Sequence, residues 1–131
     1  MIERQSDSLL LKPSDIQPSR DDFQVVGVFN PGAAIVGNEF YMLVRVAELP
    51  SETRSGWTAL PRQDSSGDIT IDWFRDAELH RIDARVVALK KSGALRLTSV
   101  SHLQLYRSTN LTCNVWEFVS TLHPEGPWEE Y

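Results

Sequence analysis

Two short stretches carry the residue types best suited to chemistry. Val25–Ala33 reads VVGVFNPGA, and Tyr41–Glu48 reads YMLVRVAE. The first sets an asparagine, Asn30, at the end of an apolar run, against Pro31-Gly32. Its carboxamide donates and accepts, so it can bind a hydroxyl from either side. The second sets a lone arginine, Arg45, inside an apolar strand pattern. A guanidinium there needs a partner, either a carboxylate such as Glu48 or Asp83 or an oxygen of a ligand. For Asn30 the competing reading is a side chain that caps its own turn.

The other candidate groups are weaker. Asp83 lies between Arg81 and Arg85, and such neighbours depress a carboxyl pKa, the wrong direction for a general acid at neutral pH. The stretch reads as a structural ion pair. His80, His102 and His123 lack metal-ligand spacing, so no metal site is expected. Ser101 and His102 are adjacent in a strand and face opposite ways, which excludes a nucleophile and its base. Trp57, Trp73, Trp116 and Trp128 could include a sugar-stacking platform but read mainly as core. GVFNPGA has neither the glycine spacing nor the helix of a phosphate loop. Cys113, the single cysteine, reads as a small core residue of a strand.

The elements that must position these groups are strands. Residues 1–22 read as an extended lead-in, with a short edge strand at Leu9–Leu11. Gln24–Asn30 is a strand ended by Pro31-Gly32. Ala33–Val36 and Phe40–Val46 form a hairpin about Gly37-Asn38. Met42, Val44 and Val46 face one side, and Leu43, Arg45 and Ala47 the other. Pro50–Gly67 reads as loop. Asp68–Phe74, Ala84–Leu89, a long Leu95–Tyr106 kinked at Ser101-His102, and Cys113–Val119 complete the set. No window shows a helical period with caps. Short strands at this spacing imply one all-β unit over residues 1–131, built as a sandwich, barrel or propeller.

Composition narrows the function. The chain has 131 residues, 41% hydrophobic and 24% charged, as expected of a globular domain. A net charge of −5 with no basic stripe argues against nucleic acid as a partner. No stretch approaches the roughly 20 apolar residues of a membrane helix, and MIERQSDSLLLKPSD lacks the apolar core of a secretory signal. The expected location is the cytoplasm.

The order of segments resembles glycoside hydrolase family 130, the β-mannoside phosphorylases and related β-mannosidases. The matching pieces are LLLKPSDIQPSRDDFQVVGVFNPGA, YMLVRVAE, DARVVALKKSGALRLTSVSHLQLYRS and HPEGPWEEY, in that order. The resemblance implies the first blades of a five-bladed β-propeller, made of antiparallel strands and hairpins, around a central pocket for a β-mannoside or manno-oligosaccharide. Asn30 and Arg45 match the asparagine and arginine that contact the mannosyl unit. It further implies transfer to inorganic phosphate, or to water in hydrolases, with no metal or organic cofactor. The family's acid is an aspartate in a Glu-Asp-Pro-Arg motif after a segment like PEGPWEEY, so it is expected beyond Tyr131, and no residue of this chain is assigned a catalytic role. IDARV echoes that motif, but Asp83 is not given the acid's role. The expectation is therefore part of a mannosyl pocket, inactive as an isolated chain. The alternative is a non-catalytic sugar-binding or assembly module, completed as a homo-oligomer or by a second chain. A compact, self-contained β-barrel binding a small ligand is the third possibility.

Overall fold

The computed structural model describes residues 9–109 and 115–122. Nine strands follow one another in these residues: β1 (Phe23–Val36), β2 (Glu39–Pro50), β3 (Trp57–Gln63), β4 (Ile69–Arg75), β5 (Leu79–Arg81), β6 (Val86–Leu89), β7 (Leu95–Leu97), β8 (Val100–Ser108) and β9 (Glu117–Leu122). Among the described residues the helical content is two single 3-10 turns, Pro13–Asp15 and Asp76–Glu78. No helix of the described residues is long and apolar enough to cross a membrane. The strands form a four-stranded sheet in the order β1-β2-β8-β9, a β3-β4 hairpin, and a three-stranded β5-β6-β7 sheet. Every pairing is antiparallel. The all-β reading holds.

The four-stranded sheet has two unlike faces, as the alternation in β2 requires. On one, Met42, Val44, Val46 and Glu48 are buried beside His102, Gln104 and Tyr106 of β8. The other carries Leu43, Arg45 and Ala47 with Ser101, Leu103 and Leu105. The lead-in covers the first face: Ile16 and Phe23 are buried, and Leu11 packs against Met42, Val44 and Tyr106. A second core cluster, Leu60, Leu79 and Val87 with Phe74 and Leu89, joins the two smaller sheets.

Five sequence expectations need correction. First, β1 does not end at Pro31-Gly32. Phe29 pairs with Arg45 and Gly32 with Leu43, so Asn30 and Pro31 together oppose Val44 in a bulge, and pairing resumes to the hairpin turn, where Gly37 takes a φ of 61°. Second, the expected loop 50–67 contains β3. Pro61 obscured it, but β3 pairs only with β4, and a strand with a free edge tolerates a missing N–H. Third, the long Leu95–Tyr106 strand is two strands in different sheets. The break falls at Thr98-Ser99, because Thr98 N donates to Arg85 O at 2.9 Å and its hydroxyl to Ala84 O at 3.2 Å. Fourth, Leu9–Leu11 form no strand. Leu11 serves the core instead, and Leu9 is 80% exposed. The last strand, expected at Cys113–Val119, is Glu117–Leu122; Cys113 lies outside the described residues.

Candidate functional site

Asn30 and Arg45 are neighbours in the β1–β2 ladder. Arg45 pairs with Phe29, and Asn30 is the next residue along β1. The bulge gives Asn30 a φ of 43°, the only left-handed non-glycine residue described. Asparagine tolerates that region better than most side chains, whereas branched residues do not. Asn30 is exposed, and its carboxamide makes no hydrogen bond among the described residues. The competing reading, that it caps its own turn, is not what the geometry shows.

Arg45 is also exposed. Its Nη2 donates to Ser101 Oγ at 3.2 Å, and among the described residues no carboxylate lies within ion-pair distance of it. Neither proposed acidic partner serves. Glu48 is three residues on and so faces the opposite side of the sheet. Asp83 is engaged in its own turn, where its Oδ1 accepts Arg85 N at 2.6 Å and Val86 N at 2.8 Å. A guanidinium with one hydroxyl contact keeps most of its five donors for solvent or for a ligand oxygen. Phe29 lies beside it in the register, its ring folded back over Gly27: a Cβ on Gly27 would fall 1.9 Å from Phe29 Cζ.

The two backbone N–H groups hold the Asp83 carboxyl below the ordinary 3.8 of an aspartate, with Arg85 at 3.8 Å a smaller cause. The direction expected from the flanking arginines is correct, but the main cause is the backbone. Because the folded value is depressed, the stabilisation is present above the unfolded carboxyl range and is lost as pH falls through the folded value. Carboxyl NMR titration should place the Asp83 midpoint below 3.8, and Asp83→Asn should flatten the acid limb of stability. A midpoint at or above that value would contradict the turn geometry.

The opposite face holds a polar chain that sequence reasoning missed. The Glu48 carboxylate, fully buried, accepts Ser19 N at 2.6 Å and Ser19 Oγ at 2.5 Å. His102 Nδ1 lies 3.7 Å from Glu48 Oε2. Gln104 Nε2 sits 3.2 Å from His102 Nε2, and Tyr106 OH donates to Gln104 Oε1 at 2.7 Å. The imidazole of His102 is thus set between the Gln104 amide on its Nε2 side and the Glu48 carboxylate on its Nδ1 side. The signal was available: His102, Gln104 and Tyr106 sit at every second position of β8, opposite the β2 residues that alternation had already sent inward.

The remaining candidates stay apart from this site. Arg54 stacks over Trp73 at 3.9 Å and Arg75 over Trp57 at 5.1 Å, so a guanidinium covers one face of each ring. Trp116 packs on the Tyr106 cluster. His80 is exposed and His102 buried. No group of three or more His, Cys, Asp or Glu that could hold a metal ion occurs among the described residues. His123 and Trp128 lie outside the described residues.

The geometry defines an antiparallel all-β protein with an exposed asparagine in a bulge and, beside it in the ladder, an exposed guanidinium that has no carboxylate partner among the described residues. No protein-family profile matches the chain. Over 112 residues it is 30% identical to the β-1,2-mannobiose phosphorylase of Listeria innocua, a match covering 82% of this chain and 32% of that enzyme. Its structure is similar to that of β-1,2-mannobiose phosphorylase from Listeria innocua solved as its β-1,2-mannobiose complex, with a TM-score of 0.76, 27% identity, and coverage of 89% of this chain and 35% of that one. The chain thus spans about a third of the length of the relative it matches. The resemblance to a mannoside phosphorylase is supported in both sequence and structure.

Proposed function

We propose that this chain contributes part of a mannosyl-binding pocket to a β-mannoside phosphorylase or hydrolase of the propeller-forming kind, with Asn30 and Arg45 as the sugar contacts. The observation that carries the reading is the exposed Arg45 guanidinium, without a carboxylate partner among the described residues and next to the left-handed Asn30. It occurs in a chain whose structure follows a mannobiose-bound phosphorylase over 89% of its length. In such a reaction a phosphate or water oxygen forms a bond to the anomeric carbon as the glycosidic C–O bond breaks, and the departing oxygen takes up a proton. Arg45 suits the anionic or oxygen-rich side of that exchange, and inorganic phosphate is the proposed co-substrate. No metal or organic cofactor is required. We assign the proton donor to none of residues 1–131, so the chain alone should bind mannosides without turning them over, and we place it in the cytoplasm.

The test is calorimetric titration of mannose and β-1,2-mannobiose. Arg45→Ala should weaken binding by about tenfold or more, the cost of losing a charge-assisted hydrogen bond. Asn30→Ala should cost about five- to tenfold. Affinities unchanged in both variants would remove the two residues from the site. Phosphate-dependent release of mannose 1-phosphate by the 131-residue chain would overturn the assignment of binding without turnover.

A second reading, an assembly or sugar-binding module completed as a homo-oligomer or by another chain, is favoured by one feature. On the Arg45 face, Phe29, Leu103 and Leu122 are 44%, 38% and 49% exposed. Such a face commonly meets another surface. Light scattering that finds a stable monomer at all concentrations would count against this reading.

A further inference from the structure

On the Arg45 face of the four-stranded sheet, two neighbouring rows of paired residues differ in kind. One row is Phe29, Arg45, Leu103 and Leu122, and the next is Gly27, Ala47 and Ser101. Val28 fixes the parity, because it packs on the opposite side against the Met42, Val44 and Tyr106 cluster. Phe29 and Arg45 both lean toward the row of small side chains. The Phe29 ring reaches back so far that a Cβ on Gly27 would lie 1.9 Å from its Cζ. Arg45 Nη2 donates to Ser101 Oγ at 3.2 Å. Gly27 and Ala47 are buried, while Phe29 and Arg45 are exposed.

The Phe29 ring has no lid. Arg54 covers Trp73, Arg75 covers Trp57 and Arg96 lies over Phe74, but among the described residues no guanidinium or second ring stacks on Phe29. An exposed aromatic surface and a guanidinium with spare donors thus stand side by side. Strands two apart in a sheet lie about 10 Å from each other. The ring tip at Gly27 and the guanidinium at Ser101 therefore flank a space on the scale of one pyranose ring.

A pyranose carries its oxygens around the rim and presents C–H groups on its faces. The guanidinium donates to the oxygens, and the aromatic ring takes a C–H face, which removes apolar surface from water on both sides. Free phosphate has oxygens only, so it would use Arg45 and leave Phe29 idle. A purely apolar surface would strip water from the guanidinium and give it no acceptor, a costly exchange.

We propose that Phe29 is a further substrate contact, with a C–H face of the mannosyl unit packed on its ring, and that Gly27 is the positioning residue that lets the ring take this place. The proposal rests on the reading of Asn30 and Arg45 as sugar contacts. The experiment titrates β-1,2-mannobiose by calorimetry into Phe29→Leu, Phe29→Tyr, Gly27→Ala and the unmodified chain. Leucine keeps an apolar surface but loses the ring face, and should weaken binding about five- to tenfold. Tyrosine keeps the ring and should bind within about twofold of the unmodified chain. Gly27→Ala leaves every contact group in place but drives the ring tip from its seat, and should weaken binding about three- to fivefold. Gly27 has no positive φ, so alanine meets no backbone strain there. Thermal unfolding serves as the control for the fold, and the Leu and Tyr pair decides the matter should Gly27→Ala unfold. Equal affinities of Phe29→Leu and Phe29→Tyr would overturn the proposal, as would light scattering that traces the loss of binding to a changed oligomeric state. Binding that is unaltered in Phe29→Leu but weakened in Arg45→Ala removes Phe29 and leaves the Asn30–Arg45 site. Binding that is weakened in Phe29→Leu but unaltered in Arg45→Ala and Asn30→Ala keeps the ring contact and removes that reading. No saturable binding by the unmodified chain removes both.

Discussion

Glu48→Ala should destabilise the protein by about 3–5 kcal/mol, the usual cost of removing one partner from a buried polar set. The carboxylate is fully buried and is the acceptor for both the Ser19 amide and the Ser19 hydroxyl. Truncation leaves that N–H without a partner, opens a void beneath the lead-in, and removes the group that His102 Nδ1 faces. Glu48→Gln keeps one carbonyl oxygen for Ser19 N, and the Ser19 hydroxyl can rotate to accept from the new amide. Its cost should be about 1–2 kcal/mol. Urea unfolding at unchanged slope measures both. Hydrogen exchange at Ser19 adds a local readout, because the lead-in should loosen before the sheet does. An alanine variant as stable as the glutamine variant, with Ser19 exchange unaltered, would show that Glu48 does not hold the lead-in.

The separation of the two faces of this sheet was readable from β2 alone. Met42, Val44 and Val46 alternate with Leu43, Arg45 and Ala47, and β2 buries its residues in that sense. The same rule places Glu48 with Val46 rather than with Arg45, so the candidate ion pair Arg45–Glu48 could have been excluded by parity. What local sequence could not supply was register. Pro31-Gly32 is a stop signal by propensity, yet β1 continues because its partner β2 tolerates two residues opposite one. That bulge, rather than a turn, is what gives Asn30 its left-handed backbone and its exposed carboxamide. β3 was obscured in the same way, since the pairing of Pro61 with Ile71 depends on β4 and not on any alternation in TALPRQ. The partition of 95–106 between two sheets follows from tertiary bonds of Thr98 to the Ala84-Arg85 backbone, which no periodicity encodes. The resemblance along the chain identified the class of relative correctly because it used the order of segments, a signal that survives such local errors.

Leu60→Ala should cost about 2–5 kcal/mol, and the cost should fall unevenly on the molecule. Leu60 is fully buried against Leu79, Val87, Phe74 and Leu89, so its removal leaves a cavity walled by β5 and β6 besides its own neighbour β4. Its carbonyl also accepts from Arg96 Nη2 at 3.3 Å, and Arg96 reaches Asp72 at 3.0 Å, where Arg62 already bonds at 2.9 Å. A shift of β3 into the void therefore disturbs a charged group of three residues as well as apolar packing. None of these residues belongs to the Met42, Val44 and Tyr106 cluster that supports the Arg45-bearing sheet. Fluorescence from Trp73, in β4, should thus report melting of the variant well before Trp116, which packs on the other cluster. Mannobiose binding that depends on Arg45 should persist below the Trp116 transition. If the two tryptophans instead shift together and binding is lost with the first, the clusters form one cooperative unit, and the β3–β7 hairpins are then part of what holds Arg45 in place.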